Sequence, residues 1–208
     1  FTGAKTLYHR TIGMISFLFI ATPVTTLHTS ESSPAGSQDP TSVVFERTTE
    51  VLGDTRTFGM AIADVDLDGD NDVFIADYLG TSALWLNDGS GGFDLSSQKF
   101  EGSVHDVGLS DLNGDGYPDV FLVMHDAPSR VYLADGDGGF SDTGQDLGRD
   151  DDYPGMIAMA DVDQDGDVDA FISYYQIPNR LWLNDGSGTF TVTDTEYGAD
   201  GDPGHLSL

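Results

Sequence analysis

The chain of 208 residues contains no cysteine, so neither a disulfide framework nor a lipid-linked cysteine anchor can hold it. Basic residues are scarce too: 8 Lys and Arg face 36 Asp and Glu, for a formal net charge of −28. Such a surface is a poor partner for nucleic acid or an anionic membrane. Glutamate is almost absent, with 5 Glu against 31 Asp. That bias exceeds what a solvated acidic face needs, and the shorter carboxylate suits tight chelating loops. No apolar run reaches the ~20 residues that a membrane-spanning helix requires. The run at 12–21, preceded by Lys5 and Arg10, has instead the charge and length of a secretory signal, although no Ala-x-Ala cleavage site follows it. Residues 1–28 therefore read as a signal-peptide-like segment, with cleavage between Thr26 and Ala35, and 29–42, rich in Ser, Thr and Pro, as a flexible linker. Secretion, or a cell-surface or periplasmic location, is the expectation, with no membrane insertion of the mature domain.

What the chain has in abundance is one nine-residue loop, written three times. The copies are Asp64-Val-Asp66-Leu-Asp68-Gly69-Asp70-Asn71-Asp72, Asp111-Leu-Asn113-Gly-Asp115-Gly116-Tyr117-Pro118-Asp119 and Asp161-Val-Asp163-Gln-Asp165-Gly166-Asp167-Val168-Asp169. Oxygen-bearing side chains at positions 1, 3, 5 and 9, with Gly at 6 for the sharp turn, are what Ca²⁺ needs from a single short loop. An EF-hand would place a bidentate Glu at position 12 and continue as a helix; here position 12 is Ile75, Leu122 or Ile172, within β-branched and aromatic runs of strand length. A plain Asp/Gly turn is the other reading. Against it, five carboxylates within 64–72 would repel one another without a cation. The three loops hold 13 of the 36 acidic residues, and one divalent ion in each would reduce −28 only to about −22.

The repetition extends beyond the loops. Successive loops begin 47 and 50 residues apart. Each is preceded by a short apolar segment and followed by a strand, a second strand and a tight turn: Leu84-Trp85-Leu86-Asn87-Asp88-Gly-Ser-Gly-Gly92-Phe93, Val131-Tyr132-Leu133-Ala134-Asp135-Gly-Asp-Gly-Gly139-Phe140 and Leu181-Trp182-Leu183-Asn184-Asp185-Gly-Ser-Gly-Thr189-Phe190. Phe93, Phe140 and Phe190 then open a fourth strand. Four antiparallel strands per unit of this length predict an all-β fold, a β-propeller whose blades are buried on both faces. Double burial also accounts for the nearly continuous apolar strand after each loop.

These stretches, from Phe58-Gly59 to Phe93, Val104 to Phe140 and Gly155 to Phe190, resemble the FG-GAP or VCBS-type repeats of the integrin alpha-chain propeller and its bacterial relatives. The likeness covers roughly 44–208 and implies a calcium-bearing, usually seven-bladed propeller, secreted or surface-exposed, that works in adhesion or recognition. By that likeness Asp64, Asp66, Asp68 and Asp72 chelate through side chains and Asp70 through its carbonyl. Asp111, Asn113, Asp115 and Asp119 would act with the carbonyl of Tyr117, and Asp161, Asp163, Asp165 and Asp169 with that of Asp167. The cofactor implied is Ca²⁺, about three ions for the three loops. A WD-type propeller is disfavoured, since Trp85 and Trp182 precede Leu-Asn and not Asp.

Only three complete repeats are present, which fall at about 58–99, 103–147 and 154–197 of a propeller fragment at 43–208. The spacing of Phe45 from Asp64 marks 43–51 as an outer strand without its own blade, and 203–208 matches the start of the third repeat, as if another blade began there. Further blades are expected to complete the ring. Other residues carry less. Ser90 sits in a turn whose equivalent in the second repeat is Asp137, so it is no nucleophile. Trp85, Tyr132 and Trp182 share one repeat position and read as inter-blade packing. His105 falls where Phe58 or Gly155 stands in the other repeats, and reads as a partly exposed loop or edge histidine. No carboxylate pair outside the loops has acid–base spacing. The expectation is thus a non-enzymatic extracellular module that recognises a protein or glycan. The alternative is the scaffold or accessory domain of a secreted lyase, hydrolase or dehydrogenase.

Overall fold

The computed structural model describes residue 52 and residues 56–136, 138–148 and 153–198. The segments read above as signal, linker, outer strand 43–51 and incipient repeat 203–208 lie outside the described residues. The chain divides into two units, Phe1–Arg47 and Thr48–Leu208, and every described strand belongs to the second.

Among the described residues, twelve strands form three four-stranded sheets, each a simple antiparallel meander. The first holds β1 (Thr57–Ala63), β2 (Asp72–Asp77), β3 (Ala83–Asn87) and β4 (Phe93–Leu95). The second holds β5 (Val104–Ser110), β6 (Asp119–Met124), β7 (Arg130–Ala134) and β8 (Phe140–Asp142). The third holds β9 (Pro154–Ala160), β10 (Asp169–Tyr174), β11 (Asn179–Asn184) and β12 (Phe190–Tyr197). No helix occurs among the described residues, and none there is long and apolar enough to cross a membrane. These are blades of a β-propeller, and each nine-residue loop joins the first strand of its blade to the second.

Burial follows from the strand period of two. All six residues of β6 are buried. Val120, Leu122 and Met124 enter the core shared with Phe74, Leu84 and Phe100 of the first blade. Phe121 and Val123 point the other way, into the core shared with Ile172, Trp182 and Phe190 of the third. Ring contacts stitch both layers, with Phe100 edge-on to Phe74 at 4.8 Å and Phe121 edge-on to Phe190 at 5.2 Å. Tyr132 packs on the first core and Trp182 lies in the second, whereas Trp85, at the same repeat position, is only half-buried.

The first strands follow the same logic. Val107 and Leu109 of β5 pack toward Ala61 and Ala63 of β1, and Ile157 and Met159 of β9 pack in the second core. Met60 and Ile62, their counterparts on the first blade, are 56% and 61% exposed. Polar clasps add to the apolar contact between blades. The Gln145 side chain accepts the N–H of Phe190 at 2.8 Å and donates to the Gly188 carbonyl at 2.8 Å, while Asp106 Oδ2 accepts the N–H of Ile157 at 3.0 Å.

Candidate metal centres

Each loop turns on its position-1 aspartate, which accepts backbone N–H groups from inside the loop. Asp64 Oδ2 accepts from Gly69 at 3.0 Å; Asp111 accepts from Gly114 and Gly116, both at 2.8 Å; Asp161 accepts from Gln164 at 2.7 Å and Gly166 at 3.1 Å. Positions 3 and 5 close successive side-chain turns: Asn113 Oδ1 takes the Asp115 N–H at 2.9 Å, and Asp115 Oδ1 takes the Tyr117 N–H at 2.9 Å. Asp66, Asp68, Asp163 and Asp165 do the same in their loops.

The position-9 aspartates have a different environment. Asp72, Asp119 and Asp169 are fully buried. One oxygen of each accepts the N–H of position 2, from Val65, Leu112 or Val162, at 2.8–2.9 Å. The other accepts the N–H at the end of the third strand, from Asn87, Ala134 or Asn184, at 2.7–2.9 Å. Each carboxylate therefore ties its loop to its own blade. Burial pushes the Asp72 and Asp119 carboxyls up from the usual range, against these N–H donors; Asp66 and Asp68 add to the rise in one case, Asp115 and Asp111 in the other.

Two loops gather carboxylates tightly enough to hold a cation. Ligand oxygens of Asp64, Asp66 and Asp72 lie within 4.8 Å of one another, as do those of Asp161, Asp163 and Asp169. In the first group Asp64 Oδ1 is buried and has no hydrogen-bond partner. An orphaned carboxylate oxygen facing other carboxylates is the environment that a hard cation relieves. In the third loop, local desolvation and the Asp165 charge raise the Asp163 carboxyl. The donor set fits a calcium-type ion. Asp68 and Asp165 stand outside these groups, and the second loop has no carboxylate trio because Asn113 is an amide.

Residues 111–172, from the first ligand of the second loop to the strand after the third, match the family profile of the FG-GAP-like repeat. The stretch from the second loop to the strand after the third is thus similar to an FG-GAP-type repeat. No curated protein matches the chain.

In all three loops the position-7 side chain lies against the hairpin that follows. Asp70, Tyr117 and Asp167 cover Gly89, Gly136 and Gly186 of the following hairpin, where any Cβ would collide with them. Those glycines also need positive φ, of 70–78°. The side chains thus leave the position-7 carbonyls as the groups that the family likeness would use.

Three features escaped the sequence reading. The first is position 4, which is left-handed in every loop: Leu67 at φ 57°, Gly114 at 76° and Gln164 at 67°. Only the second loop supplies glycine there. A left-handed L-residue costs about 1–2 kcal/mol, and glycine returns about 0.5–1 of that as extra unfolded-state entropy. Gln164→Gly should therefore stabilise the protein by up to about 1 kcal/mol, read as a raised urea midpoint at unchanged slope; an unchanged or lowered midpoint contradicts the strain.

The second is the asparagine ending the third strand, which seemed to be a turn residue only. Asn184 is buried and donates to the Val168 carbonyl at 3.2 Å and, across the blades, to the Leu112 carbonyl at 2.8 Å. It links the second and third loops.

The third is an unrepeated polar cluster, which the sequence reading did not expect. It lies at the strand ends away from the loops. His125 Nε2 meets the Tyr78 hydroxyl at 3.0 Å and Nδ1 meets Asp126 at 2.6 Å. Phe58 stacks on Tyr78 at 4.6 Å and the His105 ring stacks over that of His125 at 6.3 Å. The pairings Gly59 with Ala76 and Asp106 with Val123 make His105 the counterpart of Phe58. His105 is half-buried and packed on β5, an edge strand of its sheet, with Nδ1 unpartnered, so of the two readings it is the edge histidine and not the loop one. Burial lowers its pKa, aided by His125 and opposed by the Gly155 backbone.

Proposed function

We propose that the protein is a calcium-binding extracellular recognition module, non-enzymatic, in which about three Ca²⁺ ions are structural and the ends of the blades present a surface to a protein or glycan. One observation carries this reading: the buried, unpartnered Asp64 Oδ1 beside Asp66 and Asp72. Asp64, Asp66, Asp68 and Asp72 would hold one ion with the Asp70 carbonyl. Asp111, Asn113, Asp115, Asp119 and the Tyr117 carbonyl would hold a second, and Asp161, Asp163, Asp165, Asp169 and the Asp167 carbonyl a third. Bound calcium supplies positive charge that offsets carboxylate repulsion and cross-links each loop. Catalysis by it is not part of the proposal, because the buried carboxylates are held by backbone N–H groups and serve the fold. Secretion accords with the signal-like apolar run at 12–21 preceded by Lys5 and Arg10.

The reading predicts that the labelled protein is retained on a printed array of glycans and extracellular matrix proteins in calcium, and is released by EDTA. Retention on neither class of probe would refute the recognition role. A second reading, the scaffold of a secreted enzyme, is favoured by the Asp126–His125–Tyr78 arrangement, in which a carboxylate orients an imidazole against a hydroxyl. Under the first reading His125→Gln leaves any hydrolytic or lyase activity of the preparation unchanged; loss of a measured activity in that variant would favour the second.

A further inference from the structure

We propose that Asn113 is a self-modifying position, whose side-chain amide the backbone nitrogen of Gly114 converts to an acid while the second loop is free of cation. Of the five asparagines in the chain, Asn113 alone precedes glycine. A glycine nitrogen is the least shielded nucleophile a backbone offers, and nothing lies within 4 Å of the point where a Cβ of Gly114 would stand. In the other loops Leu67 and Gln164 occupy that place.

The groups around the pair match the needs of the reaction. Asp111 Oδ1 accepts the Gly114 N–H at 2.8 Å and is placed to take its proton. The Asp115 N–H donates to Asn113 Oδ1 at 2.9 Å, where negative charge develops as the carbonyl is attacked. Asn113 Nδ2 donates to Asp115 Oδ2 at 2.9 Å, so the departing nitrogen leaves beside a carboxylate.

The Gly114 nitrogen forms a bond to Cγ of Asn113, and its proton passes to Asp111. The Cγ–Nδ2 bond then breaks; the nitrogen takes that proton and leaves as ammonia, with a five-membered imide behind it. Water opens the imide at either carbonyl, giving aspartate or isoaspartate, so the net change is amide plus water to acid plus ammonia. Aspartate gives position 3 the carboxylate that Asp66 and Asp163 already supply. Isoaspartate adds a methylene to the backbone and displaces every later ligand of the loop. A cation held by Asp111 would compete with the proton transfer; that arm rests on the calcium reading above.

The test incubates the whole chain folded in EDTA, the whole chain in calcium, and a peptide of residues 109–119, with peptide mapping by mass spectrometry that separates aspartate from isoaspartate. Conversion at Asn113 in EDTA should be at least about tenfold faster than in the peptide, with the other four asparagines unchanged. Asp111→Asn should fall to the peptide rate. Gly114→Gln should block conversion without loss of fold, since Gln164 already holds the same conformation in the third loop. Folded protein that converts no faster than the peptide would show that the hydrogen bonds hold the nitrogen away from Cγ, and would overturn the proposal. Equal rates in calcium and EDTA would count against the calcium reading of this loop and leave the conversion standing.

Discussion

Asp119→Ala is expected to destabilise the protein by about 3–5 kcal/mol, measured by urea denaturation in excess EDTA so that no ion contributes. The residue has no exposed surface, and its two oxygens accept the N–H groups of Leu112 at 2.8 Å and Ala134 at 2.7 Å. Alanine removes both charge-assisted bonds and orphans two donors, one in the loop and one on the third strand. Each orphaned buried donor costs about 1–3 kcal/mol. Asp119→Asn keeps a single acceptor oxygen and should lose roughly half as much, about 2 kcal/mol. The same substitution at the exposed Asp126 should shift stability by less than about 0.5 kcal/mol. A loss below about 1 kcal/mol for Asp119→Ala would mean that the buried carboxylate does not tie loop to blade.

Removal of calcium from a single loop should have the next largest effect. A site that binds only the folded state adds roughly 2.7 kcal/mol when free calcium is 100 times its dissociation constant. For a chain of this size that corresponds to about 5 °C or more in melting temperature for each occupied loop. Differential scanning calorimetry in calcium at about 100 times the dissociation constant, about 10–100 mM for sites of roughly 10⁻⁴–10⁻³ M, and then in EDTA should therefore show a fall of several degrees, reversed by calcium and poorly by magnesium. The smaller Mg²⁺ keeps its water and demands octahedral geometry that a carboxylate-rich loop does not offer. A transition unmoved by EDTA would remove the structural role.

Much of this was legible in the residues because the chain repeats itself. The strands after each loop announced double burial through their unbroken apolar runs, and β6 is buried along its whole length. The position-12 residues Ile75, Leu122 and Ile172 ruled out a helix and all three lie in strands. What stayed hidden was what depends on two segments meeting. Asp72, Asp119 and Asp169 read as ligands like their neighbours, since nothing local shows that the third strand delivers a second N–H to each. The left-handed Leu67 and Gln164 were invisible, because neither residue type favours that conformation. The His105–His125–Tyr78 cluster draws on different repeats, and a search for repeated residues passes over it.

The most direct test is a calorimetric titration of calcium into the decalcified protein. The account predicts about three sites, each of roughly 10⁻⁴–10⁻³ M. Asp64→Ala, Asp111→Ala and Asp161→Ala should each remove one, because each deletes the side chain that organises its loop. Fewer than two sites, or an unchanged stoichiometry in all three variants, would contradict the assignment of these loops as calcium centres.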